Sequence, residues 1–240
     1  DTPPAPRSEE IKAIFDDVFG HKNKTATEPH LTESPKQAEP KIVQAPAVSQ
    51  PSDQVPASTS NTTSDQNITN SNTAGVTIIG TLDGNDGGSS WVNNVNSILD
   101  YKNASEPMHG HGSFTANADN NIVKYSLGTV LSLVGNQNIA TTTYHDLVIS
   151  GTGSKKVLND FTIDGDLTIS GGNFADQGHI VIARGNIANT SIHSSLANGK
   201  IKLNNGSAQH IISGGGTFGT LQLDDFNGAK LTGGMTINGK

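Results

Sequence analysis

The chain has 240 residues (24.9 kDa), a formal charge of −7, 32% apolar residues and only 5% aromatic ones, so much of it cannot be buried core. Cysteine is absent, which excludes disulfides, thiolate nucleophiles, iron–sulfur clusters and Cys-based zinc sites. Arg7 and Arg184 are the only arginines, and with the acidic balance they argue against nucleic-acid binding and anionic membrane surfaces.

In chain order, Ile11, Ile14, Phe15, Val18 and Phe19 recur at the spacing of one helical face, which predicts a short amphipathic helix over about 8–20. Ser8 is its expected N-cap and Gly20 its stop. About three turns are marginal alone in water, so the stripe reads either as a docking peptide for a cell-surface or export partner or as a transient helix. From His21 to Thr73 the chain is rich in Pro, Ser, Thr, Gln and Asn, a composition that cannot offset its ordering entropy. Residues 1–73 are therefore expected to be a disordered tether. Asp1 stands where an initiator Met would, which suggests a processed product. No apolar run approaches the roughly 18 residues of a membrane span.

From Ala74 the pattern changes to apolar–polar–apolar triplets separated by Gly, Asn and Asp: Leu147-Val-Ile149, Phe161-Thr-Ile163, Leu167-Thr-Ile169, Ile201-Lys-Leu203, Leu221-Gln-Leu223 and others. These predict strands of minimal length with one face inward. The segment 143–165 also aligns without a gap to 217–239, pairing Tyr144 with Phe218, Leu147 with Leu221, Val157 with Leu231 and Ile163 with Ile237. A unit of a little over 70 residues corresponds to about three coils of roughly 20 to 25 residues each. The expected fold over 74–240 is an all-β parallel β-solenoid. A β-sandwich array is the alternative, kept open by Asn-Gly steps such as Asn198-Gly199, Asn205-Gly206 and Asn227-Gly228. The second unit stops at Lys240, which predicts a fragment of something longer, or an open stack end that invites self-association or completion by a partner.

The segments TYHDLVISGTGSKKVLNDFTIDGDLTISGGNF (143–174), SSWVNNVNSILDY (89–101) and GSFTANADNNIVKYS (112–126) give the chain its character. In them it resembles the Asn/Thr/Gly-rich β-strand-repeat surface proteins secreted by Bacteroidota. That resemblance implies an extracellular or cell-surface location, type IX secretion, and a part in adhesion or gliding.

Candidate sites each carry a competing structural reading. The run Asp83-Gly-Asn85-Asp86-Gly-Gly88 offers hard oxygens suited to calcium but lacks the closing Glu of an EF-hand, so turn chemistry is favoured. His109 and His111, near Glu106, form half of a transition-metal site if they share a strand face, or a polar loop if they do not. Trp91 and Tyr101 are candidate stacking platforms for sugars, or core residues. Gly110-His-Gly112, Asn117-Ala-Asp119 and Asp224-Asp225 are fragments of the polygalacturonase motifs, but their order is wrong and no Arg-x-Lys exists, so no catalytic residues are assigned. The expectation is a structural or adhesive module without a required cofactor, a carbohydrate-binding module being the alternative and a polysaccharide-degrading enzyme the remote one.

Overall fold

The computed structural model describes residues 66–84, 87–129 and 134–239. The expected helix, with Ile11, Ile14, Phe15, Val18 and Phe19, and most of the expected tether lie outside these residues. The described strands belong to one compact unit, Ser58–Lys240.

The chain winds repeatedly through three faces in a fixed order. The first face holds β1 (Asn67–Asn70), β3 (Ser90–Asn93) and β5 (Ser113–Thr115). It passes through single-residue bridges at Tyr144 and continues as β10 (Phe161–Ile163), β13 (Ile180–Ala183), β16 (Lys200–Leu203) and β19 (Leu221–Leu223). The second face is one eight-stranded sheet: β2 (Val76–Ile78), β4 (Ile98–Tyr101), β6 (Ile122–Tyr125), β8 (Asp146–Ile149), β11 (Leu167–Ile169), β14 (Ile187–Asn189), β17 (His210–Ser213) and β20 (Ala229–Leu231). The third face begins later, with β7 (Gln137–Ile139), β9 (Ser154–Val157), β12 (Asn173–Ala175), β15 (Ile192–Ser194), β18 (Thr217–Phe218) and β21 (Thr236–Ile237). Every pair of neighbouring strands among the described residues is parallel. This is a parallel β-solenoid of about eight turns, and the antiparallel sandwich is excluded for these residues. No described helix is long and apolar enough to cross a membrane.

The core follows from alternation within each triplet. Leu147, Leu167 and Ile187 stack on the second face, and Ile163, Ala183 and Leu203 on the first, all without exposed area. Tyr101, Tyr125 and Tyr144 form an edge-to-face aromatic column at centroid distances of 6.1 and 6.3 Å. Its buried hydroxyls close a ring of bonds: Ala140 N–H donates to Tyr125 Oη, the two hydroxyls share a 2.9 Å bond, and Tyr144 Oη donates to the Ala140 carbonyl. At one corner a side-chain ladder adds to the backbone ladder. Asp146 Oδ1 accepts the Asp166 N–H at 2.7 Å, Asp166 Oδ1 the Asn186 N–H at 2.7 Å, and Asn186 Oδ1 the Ile211 N–H at 2.9 Å.

Two features differ from the sequence reading. The strand β1 lies before residue 74, inside the expected tether, because Asn70 is buried and its Nδ2 donates to Asn93 Oδ1 at 2.7 Å. A polar residue thus occupies an inward position that an apolar pattern cannot reveal. The aligned segments also do not share faces. Leu147 sits in β8 on the second face and Leu221 in β19 on the first; Ile163 lies on the first face and Ile237 on the third. The true coil is 20 residues in the central stack, so the long repeat advances by eleven strands, three coils and two thirds, and not by whole coils. Strands on all three faces are two to four residues long and mostly alternate inward and outward side chains, so a local alignment can match one face to another.

Leu167→Ala removes a fully buried rung residue and is expected to lower stability by about 2–5 kcal/mol, whereas the outward Thr168→Ala in the same strand stays within roughly 0.5 kcal/mol. Urea denaturation of the two variants checks this.

Candidate functional site

In the first two coils the third side is closed by irregular segments around 79–84 and 102–112 in place of strands. Most of the chemistry-bearing residues read from the sequence converge there. Asp83 Oδ1 accepts N–H bonds from Gly84 at 2.9 Å, Gly110 at 3.1 Å and His111 at 2.9 Å. These donors, the His111 N–H above all, hold the Asp83 carboxyl below the usual range. His109 Nδ1 lies 2.7 Å from Glu106 Oε1. Burial pushes Glu106 up, but the bond and charge of His109 outweigh it and leave Glu106 lowered, while the same bond raises His109.

The calcium and transition-metal readings fare differently here. Asp83 is committed through one oxygen to capping a turn, which is the turn chemistry favoured from the sequence, and Asn85 and Asp86 lie outside the described residues. His109 and His111 lie on a loop and not on a strand, so they do not share a strand face. Among the described residues no three His, Asp or Glu side chains converge to hold a metal. Trp91 and Tyr101 are corrected as sugar platforms: Trp91 is 6% exposed and Tyr101 fully buried, because both occupy inward parity in β3 and β4. Asp224 and Asp225 diverge as well, Asp224 lying 2.6 Å from Lys202 Nζ and Asp225 3.0 Å from His210 Nε2.

The structure also reveals buried ionisable groups that pattern reading passed over. Lys155 is fully buried, its Nζ donating to the carbonyls of Leu127 at 2.8 Å, Gly135 at 2.7 Å and Thr152 at 2.6 Å. Burial lowers its pKa to about 8. His193 stacks between Phe174 and Phe218, with Nε2 3.2 Å from Asp176 Oδ2 and Nδ1 buried without a partner. Burial raises Asp176, yet His193, Ser195 and the N–H groups of Gly178 and Leu196 bring it below its ordinary value. A shallow cleft of about 240 Å³, lined in part by Ser195, Thr217 and Thr220, lies beside this pair. Asp225 is lowered chiefly by the Gly206 N–H, with Asn227 and His210 adding to it. Parity was the available signal, since Lys155 alternates with Val157, and His193 pairs in register with Phe174.

No protein-family model matches the chain, and no curated protein or solved structure is significantly similar to it.

Asp176 and Asp225 hold folded values below their unfolded ones, so their contribution is present above about pH 4 and is lost as pH falls through the folded values. Lys155 behaves oppositely to an ion-paired lysine. Between its folded value of about 8 and the ordinary value near 10.4, the unfolded chain binds the proton and the folded chain does not, so stability rises with pH there. Urea midpoints from pH 3 to 10 are expected to show both slopes. Asp176→Asn flattens the acid limb, and Lys155→Met removes the alkaline rise.

Proposed function

We propose that this chain is a secreted or cell-surface structural and adhesive module without enzymatic activity, in which a rigid β-solenoid spaces and presents weak contacts. The observation that carries this reading is the uninterrupted second face. Its outward side chains Thr77, Asp100, Lys124, Val148, Thr168, Ala188 and Ser213 stand in one row, one per rung. Rungs about 4.8 Å apart make that row a fixed ruler of roughly 30 Å. Contacts repeated along such a row gain strength by multivalency.

Adhesion, gliding and type IX export rest on the resemblance of the strand-repeat segments to Bacteroidota surface proteins. Docking to export or surface machinery would fall to the segment carrying Ile11, Ile14, Phe15, Val18 and Phe19. Glycans remain candidate contacts, but through outward polar rows and not through the buried Trp91 or Tyr101.

Beads bearing many copies are expected to bind the surface of the producing cells with an apparent affinity about 10²–10⁴ above that of the soluble monomer. Protease treatment of intact cells should remove the protein. Saturable binding of the monomer to one sugar on a glycan array would favour the carbohydrate-binding module. Turnover of a polysaccharide, lost in Asp224→Asn, would overturn the non-catalytic reading.

A further inference from the structure

Segment 102–112, which closes the third side between β4 and β5, is anchored at both ends by the backbone ladder. The Lys102 N–H donates to the Ile78 carbonyl at 2.8 Å, and the Ser113 N–H to the Ser89 carbonyl at 2.9 Å. Its first half is also held by a later coil, since the Ala104 carbonyl accepts the Asn138 N–H at 2.8 Å. The half from 105 to 111 is fastened differently. The Met108 N–H donates to the Leu82 carbonyl at 2.6 Å, the Gly84 N–H donates to the His111 carbonyl at 3.1 Å, and Asp83 Oδ1 gathers the N–H groups of Gly110 and His111. These bonds all reach residues 82–84, so this half can part from one short stretch without breaking a strand pair.

Among these fastenings Asp83 brings the charge, and hydrogen bonds to an ionised acceptor are roughly twice as strong as neutral ones. The Glu106 and His109 contact is charged as well, but both partners sit on the segment itself and His109 is exposed, so it shapes the segment and does not fasten it. Among the described residues, the ionisable groups that act on Asp83 are His111 and His109 on the segment and Tyr101 on β4. Glu106 faces His109, Tyr101, Tyr125 and Tyr144.

We propose that residues 105–111 form a strap latched by the ionised Asp83 carboxylate, which lifts from residues 82–84 in acid while the solenoid stays wound. The N–H groups bound to Asp83 hold its carboxyl below the ordinary value, so the latch is closed above about pH 4 and opens as pH falls through the folded value. Lifting bares Leu82 and Met108, which pack on the core, and the end of the tyrosine column at Tyr101, whose hydroxyl lies near Asp83 and Glu106. The device is independent of what the outward row of the second face binds.

Hydrogen exchange in the full chain, read as protection factors so that the intrinsic effect of pH cancels, tests this. In the wild type, protection at Met108, Gly110 and His111 is expected to stay level from about pH 6 to about pH 4 and then to fall by up to about tenfold per pH unit. The stack amides of Leu167 and Ile201 are expected to keep theirs over that fall. Asp83→Asn keeps the shape and removes the charge, so protection at the three strap amides should already be about tenfold lower at pH 6 and show no further fall on acidification. Gly110→Ala, whose β-carbon would come 2.7 Å from Asp83 Oδ2, should lower protection at Met108 and His111 in the same way and serves if Asp83→Asn fails to fold. Loss of strap protection only together with Leu167 and Ile201, or an acid-dependent fall that persists in Asp83→Asn, would overturn the proposal, as would unchanged protection at pH 6 in both variants.

Discussion

The structure depends on one constraint, the register of a parallel ladder. Paired strands of successive coils hydrogen-bond in register, so the inward side chain of one coil rests on that of the following coil about 4.8 Å away. On the first face, Ile163 meets Ala183, Ala183 meets Leu203 and Leu203 meets Leu223; on the second, Leu147 meets Leu167 and Leu167 meets Ile187. The low aromatic content is consistent with this geometry, because columns of aliphatic and small residues fill a narrow core in which only a few large rings stack. Where rings do occur, as at Tyr101, Tyr125 and Tyr144, they cross edge to face, and the hydroxyls of Tyr125 and Tyr144 are tied to each other and to the Ala140 backbone, so that these polar atoms enter the core already satisfied.

The same geometry explains why charged groups are buried in a chain that looks like a simple scaffold. At the corners, side chains add bonds beside the backbone ladder: Asp146, Asp166 and Asn186 accept N–H groups of the following coil, and the Lys155 ammonium donates to the Leu127 and Gly135 carbonyls. Each of these residues is a stability element by its contacts. Asp176, His193 and Ser195 lie together beside the shallow cleft. His193 is sealed between two phenyl rings, and the Asp176 carboxylate is occupied by backbone and side-chain donors.

On the third side of the first two coils, where irregular segments stand in place of strands, several of the titratable residues singled out from the sequence gather. Asp83, Glu106, His109 and His111 come together because two loops must cover what a third strand covers elsewhere. Their chemistry serves that covering, with carboxylates turned to backbone N–H groups and to an adjacent imidazole.

The sequence by itself determined the short strands and the inward parity of Leu147, Ile163, Leu167 and Leu203, because alternation and Gly/Asn/Asp punctuation are local properties, and it favoured a solenoid while leaving a sandwich array open. It also placed the weight on turn chemistry at Asp83. Only the tertiary structure decided which face each strand occupies, that Leu147 and Leu221 belong to different faces, and that β1 lies within the stack through the buried Asn70 and Asn93 pair. It likewise decided that Trp91 and Tyr101 point inward and that Asp83 meets residues some 27 positions away. The physical reason is that periodicity encodes the side of a strand, whereas face and partner depend on the lengths of the corners between strands. In a ladder whose three faces share one pattern, those lengths leave no mark on the pattern itself.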